Sequence, residues 1–426
     1  MSRAPRSMLA EAEPTSGSRG LRRLRTLFFA VYIACTLGAN AVILIPFDPS
    51  GEVGDNTIFS ASWILLHLIS GLVALTSRSV RATPLAIALG VGALIVVSAA
   101  WSVSGMDSLV YGTMAAGNIV IACVLAAEYS LKQIAHLLLR VLSVLVVAGM
   151  VLALLGYDQV LDYDPHARTN FLGGEPIRGF FQHRIMAGFY AASGTVLAIC
   201  LLRGLRRALS VGTFALFALL AGSATGVLLV AAAVVLVPIA RLVVPKVPLG
   251  GLLAVGVPLG VVVGAAAWQA WVPVLELVGR DPTLTGRTLL WEWGIQAIAE
   301  RPVLGWGFAG YFNSPYGDLP SLYVPEFANY EISHFHNSYI QTAVDLGVVG
   351  LLILLAVLVY TTVKSYAHAR NHDLDVGLAA LMLLVIFLIA SPTEFLFLNY
   401  NYFGSFALFT LFFALSSRQQ PPATIQ

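Results

Sequence analysis

Long apolar stretches alternate with short polar connections along almost the whole 426-residue chain. A hydrocarbon core about 30 Å thick is crossed by roughly 20 helical residues. By that criterion the sequence predicts about twelve membrane-spanning helices, at 27–46, 58–76, 83–101, 108–127, 134–156, 185–202, 209–223, 226–240, 248–268, 338–363, 377–391 and 402–416. Four of them (209–223, 226–240, 377–391 and 402–416) are short for a full crossing, which suits tilted, broken or re-entrant helices.

Composition agrees with this pattern. The chain is 58% hydrophobic and only 11% charged, which is not the composition of a soluble domain of this length. We therefore expect an all-α polytopic membrane protein that forms a single integral membrane domain over residues 1–426. The three cysteines, Cys35, Cys123 and Cys200, all lie in apolar stretches and indicate neither a disulfide framework nor a metal cluster.

Basic residues predict the orientation, because cytoplasmic loops are rich in Lys and Arg. We place the tails 1–24 and 417–426 in the cytoplasm, with the first apolar span as an uncleaved signal-anchor. Alternation then puts most of the basic residues on the cytoplasmic side, including all three lysines. Six arginines fall outside, in two loops only: Arg168, Arg178, Arg184, Arg280, Arg287 and Arg301.

The two outer loops, about 157–184 and about 269–337, are the longest connections on that side. Long loops in compact proteins are usually functional or disordered, and the aromatic and apolar residues here favour loops that fold back on the bundle. Within the second loop, Thr285 to Arg301 predicts an amphipathic helix that ends before Pro302. Its tryptophans, Trp291 and Trp293, suit the lipid headgroup level.

These loops also hold the candidate chemistry. Arginine binds phosphate oxygens bidentately, so Arg178 and Arg287, one from each loop, could clamp a diphosphate. Histidine is suited to take a proton from a hydroxyl near neutral pH, and four lie in the same loops: His166, His183, His334 and His336. A base beside an anion clamp is an arrangement typical of a transferase. His336-Asn337, where the second loop meets an apolar run, is the strongest single clue.

Two other motifs have simpler explanations. Residues 305–310 fit the dinucleotide pattern G-x-G-x-x-G, but no βαβ unit surrounds them, so we interpret them as a glycine-rich turn after a surface helix. The pair His334-x-His336 lacks acidic partners at a recognisable spacing for a metal site. We predict no metal and no cofactor.

Four segments in this order resemble the O-antigen ligase and polymerase superfamily. They are Arg178-Gly179-Phe180-Phe181, Gly286-Arg287-Thr288-Leu289-Leu290-Trp291, Arg301-Pro302-Val303-Leu304-Gly305-Trp306-Gly307, and His336-Asn337 followed by Gly347-x-x-Gly350. The predicted topology, with one large outer loop in the C-terminal third, is similar too. A departure is the turn Ser223-Ala224-Thr225-Gly226, which lacks an arginine found in many relatives.

The resemblance implies transfer of a glycan from undecaprenyl diphosphate to an acceptor hydroxyl on the outer face of a bacterial cytoplasmic (inner) membrane, without metal or nucleotide. Carried onto this sequence, the resemblance implies that His336 is the general base or acceptor-orienting residue and that Arg287 and Arg178 bind the diphosphate. Asn337 would position the imidazole or the sugar. For Arg184, diphosphate contact and headgroup anchoring stay open, and His334 and His183 are further candidate substrate-binding residues.

The partners that follow are a polyprenyl-diphosphate-linked glycan, the bilayer and an acceptor that is a glycan, lipid or protein, with no nucleic acid. A ligase would use lipid A-core, a polymerase would join polyprenyl-linked repeats, and a related oligosaccharyltransferase would use a protein serine. From another class, a transporter or flippase of lipid-linked sugars would show ionisable residues or broken helices near the midplane. The sequence shows no internal repeat and no evident buried charge pair, which favours the enzyme.

Overall fold

The computed structural model describes residues 16–45, 57–77, 79–162, 169–254, 286–323 and 332–416, together with 256, 258 and 262. The span predicted at 248–268 lies largely outside these residues. So do His166, Arg168 and Arg280, most of the predicted cytoplasmic tails, and parts of both predicted outer loops.

The described residues form an all-helical bundle, which confirms the all-α fold class for this part of the chain. Its helices are α1 (Ser16–Thr36), α2 (Ala39–Leu44), α3 (Thr57–Thr76), α4 (Ala82–Val97), α5 (Gly105–Glu128), α6 (Leu131–Leu154), α7 (Arg184–Leu201), α8 (Gly204–Leu220), α9 (Ala224–Val243), α10 (Arg287–Glu300), α11 (Leu319–Tyr323), α12 (Ser338–Asn371), α13 (Leu374–Ala390) and α14 (Phe403–Ser416).

Seven of the described helices are long and apolar enough to cross a membrane: α3, α4 with its 3-10 extension, α5, α6, α7, α9 and α12. Helices α13 and α14 are apolar but shorter, as the sequence predicts for 377–391 and 402–416. The chain is therefore a membrane protein with several spanning helices. The count of about twelve stays a prediction.

The first predicted span, 27–46, is two helices and not one. Gly38 separates α1 from α2 with a left-handed φ of 106°. A Cβ atom there would lie 3.0 Å from Cγ and 3.1 Å from the backbone nitrogen of Gln182. The helix breaks at the point where the loop before α7 packs against it, and the left-handed φ together with this close contact favours glycine.

Helix α7 occupies the centre of the bundle. Every residue from Met186 to Cys200 is buried, and α7 packs against α6, α8, α9 and α13. Its closest approach is to α9, where a Cβ atom on Gly226 would lie 2.4 Å from Cα of Gly188. Small residues allow such close helix packing in membranes, where association depends on van der Waals contact. The interior of the bundle is thus built around one fully enclosed helix.

Helix α12 is interrupted at Gly347, where φ is 64° and ψ is −165°. The segment 302–307, which follows α10, fills the interruption with four backbone hydrogen bonds. Two N–H groups of the segment donate to α12: that of Trp306 to the Val344 carbonyl (2.8 Å) and that of Gly307 to the Asp345 carbonyl (3.0 Å). Two N–H groups of α12 donate in return: that of Val348 to the Pro302 carbonyl (2.8 Å) and that of Val349 to the Val303 carbonyl (3.4 Å). The glycine-rich turn predicted at 305–310 therefore docks onto α12, and its backbone supplies the partners that the broken helix lacks.

The other end of the bundle carries ion pairs. Arg25 at the start of α1 pairs with Glu128 at the end of α5. Asp375 accepts a hydrogen bond from Arg203 and forms an ion pair with Arg241, with 2.6 Å between Oδ1 and Nη2, and so joins the ends of α7 and α9 to the start of α13. The two predicted loops, by contrast, meet the bundle at the end where α7, α10 and α12 begin.

Candidate active site

Arg287 is the first residue of α10, directly after Gly286, whose φ is 81°. Its guanidinium donates from Nη1 to the Thr393 carbonyl at 2.5 Å and from Nη2 to Oε1 of Glu394 at 3.1 Å. Both acceptors lie in the turn between α13 and α14. The side chain keeps about a fifth of its surface exposed, so this arginine links the large loop to the bundle and still faces open space.

Glu394 is a candidate functional residue that sequence analysis missed. It is the only charged residue between Asp375 and Arg418, and that isolation in an apolar stretch is the signal that could have identified it. Ser338, the first residue of α12, fixes the turn: its Oγ donates to the Glu394 carbonyl at 2.8 Å. Burial favours the protonated acid, but the His336 imidazole and the Arg287 guanidinium outweigh burial and lower the pKa of Glu394 to about 2.

His336 lies beside this carboxylate. Its Nδ1 is 3.9 Å from Oε2 of Glu394, beyond hydrogen-bond distance. Nδ1 is buried and has no hydrogen-bond partner among the described residues, whereas the side chain as a whole is 36% exposed. The backbone has a left-handed φ of 50°, which is uncommon for a residue other than glycine and is often found at functional sites.

His334 and His183 complete the cluster. The rings of His334 and His336 lie 4.2 Å apart, and the His336 backbone N–H donates to Nδ1 of His334 at 3.1 Å. Burial and the neighbouring His336 lower the pKa of His334 to about 3. Burial also lowers the pKa of His183, against the opposite influence of Glu394. At neutral pH these two imidazoles are therefore uncharged.

Arg184 and Asp162 lie next to the cluster. The Arg184 backbone N–H donates to Oδ2 of Asp162 at 2.9 Å, and its Nε lies 4.0 Å from the same oxygen. Asp162 thus satisfies a free N–H at the start of α7 and pairs with the side chain there. No pattern in the sequence pointed to this carboxylate.

Arg178 is held by the loop itself. Its Nε and Nη2 donate to the Gln159 carbonyl at 3.2 and 3.0 Å, and Nη1 donates to the Gln182 carbonyl at 3.4 Å. Burial lowers the pKa of Arg178. These contacts join the two ends of the 157–184 loop just before His183, so the geometry supports a loop-positioning role. Diphosphate binding by Arg178 stays a prediction.

Asn337 caps α12. Its Oδ1 accepts from the backbone N–H groups of Tyr339 (3.0 Å) and Ile340 (3.1 Å), a typical N-cap arrangement. The cap fixes where α12 begins, directly after His336 in the chain. The two predicted roles of Asn337, positioning of the imidazole or of the sugar, stay predictions.

The cluster joins one anionic, one cationic and three histidine side chains. They come from the residues just before α7 and α12, from the first residue of α10 and from the turn after α13. An uncharged imidazole can accept a proton, a nearby carboxylate stabilises the imidazolium that forms, and a guanidinium stabilises a departing anion. Among the described residues, no group of three or more His, Cys, Asp or Glu side chains is placed to hold a metal ion.

Arg301 has a different role. Its guanidinium carbon lies 4.2 Å from the centre of the Trp306 ring, and Nε1 of Trp306 donates to the Ala297 carbonyl at 2.8 Å. Arg301 thereby stabilises the turn after α10 by a cation–π contact.

Comparison with known proteins points the same way. Residues 182–355 match the family model described as O-antigen ligase. A 106-residue segment is 34% identical to "Exopolysaccharide production protein ExoQ" of Rhizobium meliloti (strain 1021), covering 24% of each chain. A 97-residue segment is 31% identical to "Putative polysaccharide ligase RC0486" of Rickettsia conorii, covering 22% of this chain and 23% of the relative. The alignments thus span about a quarter of each relative, and the matches confirm the predicted resemblance to O-antigen ligases over residues 182–355.

Proposed function

We propose that this chain, matched to the O-antigen ligases over residues 182–355, is a glycosyltransferase. It moves a glycan from undecaprenyl diphosphate to an acceptor hydroxyl at the outer face of the cytoplasmic membrane, with both termini on the inner side. The observation that carries the proposal is the cluster of Arg287, Glu394 and His336, since it places a base, a carboxylate and an anion-binding group at one point.

In this mechanism His336 takes the proton from the acceptor hydroxyl. The acceptor oxygen forms a bond to the anomeric carbon of the donor sugar, while the bond from that carbon to the diphosphate oxygen breaks. Glu394, 3.9 Å from Nδ1, stabilises the imidazolium and leaves Nε2 to receive the proton. The lipid diphosphate leaves as an anion, and the N–H groups of Arg287 that do not contact Thr393 or Glu394 stabilise it.

The uncharged states of His334 and His183 suit this chemistry. If all three imidazoles beside Arg287 were protonated, they would repel one another and compete for the negative charge of Glu394. Because burial keeps two of the rings neutral, the cationic groups that face the substrate are Arg287 and, after proton transfer, His336. The neutral rings can donate hydrogen bonds to diphosphate or sugar oxygens.

A transporter of lipid-linked sugars is the competing class, and the structure corrects one argument against it. Sequence analysis found no evident buried charge pair, yet Arg287 and Glu394 form a largely buried pair and α12 is interrupted at Gly347. The interruption, however, is filled by the backbone of residues 302–307, whereas a transport pathway needs open space there. The enzyme therefore remains the better explanation.

The test uses purified protein in lipid nanodiscs, supplied with an undecaprenyl-diphosphate-linked glycan and candidate acceptors. We expect release of undecaprenyl diphosphate with a matching gain of glycan on one acceptor, and no effect of a chelator. His336→Ala and Arg287→Ala should abolish transfer, while Glu292→Gln, an exposed carboxylate on α10, serves as the matched control. Wild-type turnover by both active-site variants would refute the assignment. Movement of the lipid-linked glycan across a bilayer without its consumption would favour the transporter.

A further inference from the structure

A cavity lies between the large loop and α12, next to the candidate active site. Its volume is about 150 Å³. The floor is formed by the buried residues Phe308, Gln341 and Asp345, whereas the rim residues Asn313 and Asp318 are exposed. A cavity of this volume accommodates a six-membered ring, and the exposed rim leaves it open to the loop side.

Asp345 on the floor is unusual for its position. It lies in a helix that is apolar enough to span a membrane, is the only charged residue between His336 and Lys364, and is 2% exposed. Its Oδ1 accepts a hydrogen bond from Nε2 of Gln341 at 3.1 Å. A carboxylate at such a position is costly to bury and usually marks a functional site.

The cavity is physically connected to the cluster around His336. Gln341, besides contacting Asp345, accepts from the backbone N–H of Phe335 through Oε1 at 3.0 Å. Phe335 directly precedes His336. Phe395, which lines the cavity, directly follows Glu394. A molecule in the cavity would therefore lie beside the proposed base.

The lining has the chemistry of a sugar site. Phe308, Phe312, Phe395 and Tyr400 supply aromatic rings, on which the C–H faces of a sugar ring can pack. Carboxylate and amide groups supply acceptors and donors for hydroxyls. No Lys or Arg is among the described residues that line it, so a phosphate group is disfavoured there and is left to Arg287.

We propose that this cavity binds one uncharged sugar unit of a glycan substrate, with Asp345 and Gln341 hydrogen-bonded to its hydroxyl groups. The inference rests on the proposed function for the identity of its substrate. The sugar belongs either to the acceptor end that carries the attacking hydroxyl or to the donor end next to the diphosphate. Both present the same hydroxyl chemistry to the floor of the cavity.

The first test measures binding and needs no turnover. The probe is a repeat-unit oligosaccharide cut from the host's own surface polysaccharide, added to the full-length protein in nanodiscs and followed by saturation-transfer NMR. Asp345→Asn keeps the shape of the floor and should raise Kd about tenfold, since the amide nitrogen that replaces a carboxyl oxygen cannot accept a hydrogen bond from a sugar hydroxyl. Asp318→Asn at the exposed rim should raise Kd less, and Glu292→Gln should leave it unchanged.

Undetectable binding to the wild-type protein, or wild-type affinity in folded Asp345→Asn, would overturn the proposal. If Asp345→Asn does not fold, judged by size exclusion and thermal unfolding, unchanged affinity in Asp318→Asn overturns it instead. Binding that depends on Asp345 in a protein that transfers no glycan would support the cavity and refute the proposed function.

Kinetics then distinguish the two sources of the sugar. If the cavity holds the acceptor, Asp345→Asn raises KM for the acceptor and leaves KM for the donor unchanged. If it holds the donor sugar, the pattern reverses. If Asp345→Asn lowers kcat and leaves KM for both the donor and the acceptor unchanged, Asp345 has a role other than sugar binding, which would contradict the proposal.

Discussion

Replacement of Gly347 by alanine should detach the large loop from α12. The φ of 64° and ψ of −165° at this residue lie in a region that is essentially restricted to glycine. A Cβ atom there would lie 2.1 Å from the Val303 carbonyl oxygen and 2.2 Å from its carbon. A normal contact between carbon and oxygen begins at about 3.3 Å, so segment 302–307 would have to retreat by more than 1 Å.

The cost can be worked from the contacts that this retreat would break. Four backbone hydrogen bonds join 302–307 to α12, and each contributes about 1 kcal/mol net. If the segment instead stayed in place, alanine would adopt a strained backbone at a cost of about 1–3 kcal/mol in addition to the steric overlap. The first route predicts a loss of about 4 kcal/mol in the stability of the docked loop, and the second predicts about 1–3 kcal/mol before the steric overlap is added.

Thermal unfolding and hydrogen exchange in nanodiscs measure this loss. We expect the unfolding midpoint of Gly347→Ala to fall by several degrees and the amides of Trp306 and Gly307 to exchange faster. Gly90→Ala is the matched control, because a Cβ atom on Gly90 meets nothing within 4 Å, and it should be neutral or slightly stabilising. Unchanged amide protection in Gly347→Ala would refute the explanation of the helix break.

Three further predictions concern the site. Glu394→Gln should lower transfer about 10- to 100-fold, since loss of the charge removes roughly 1.5–3 kcal/mol of stabilisation from Arg287 and the imidazolium; Glu292→Gln should not change it, and equal rates for both variants would contradict the role of Glu394. The pKa of His334 is lowered from 6.5 to about 3 in the folded protein. Between these two pH values the unfolded chain binds more protons than the folded one, so the stability falls as the pH drops from 6.5 toward 3. His334→Gln should weaken this pH dependence in unfolding curves, and an unchanged slope would contradict the prediction. Arg178→Ala should make the 157–184 loop more sensitive to limited proteolysis, because three donors to backbone carbonyls are lost; wild-type resistance would argue for a substrate-binding role instead.

Sequence reasoning succeeded where one local signal determines the structure. Apolar runs of 18 residues or more identified spanning helices such as α5 and α6. The apolar pattern of Thr285 to Arg301, ended by Pro302, located α10 to within about two residues. His336, Arg287, His334 and His183 do approach one another in the structure.

The rest depends on contacts between distant segments. The break in α12 at Gly347 is stabilised by residues 302–307, which lie far earlier in the chain, and a glycine alone does not predict such a break. Glu394 is a candidate because the turn after α13 lies beside Arg287 in the structure. Arg178 and Asn337 carry the right chemistry for substrate contact, but their main described partners are backbone groups, and only coordinates distinguish these roles.

The enclosure of α7 would limit how the large lipid-linked substrate of the proposed function reaches the site. Since every residue from Met186 to Cys200 is packed on all sides, a shift of this helix would disturb contacts with four neighbouring helices at once. His183, at its start, is thus a fixed reference point in the site. If the proposed function is correct, we expect conformational change during the catalytic cycle to come from segments outside α7, such as the loop that carries Arg287. Substrate access and product release would then depend on movement of that loop against a static helical core.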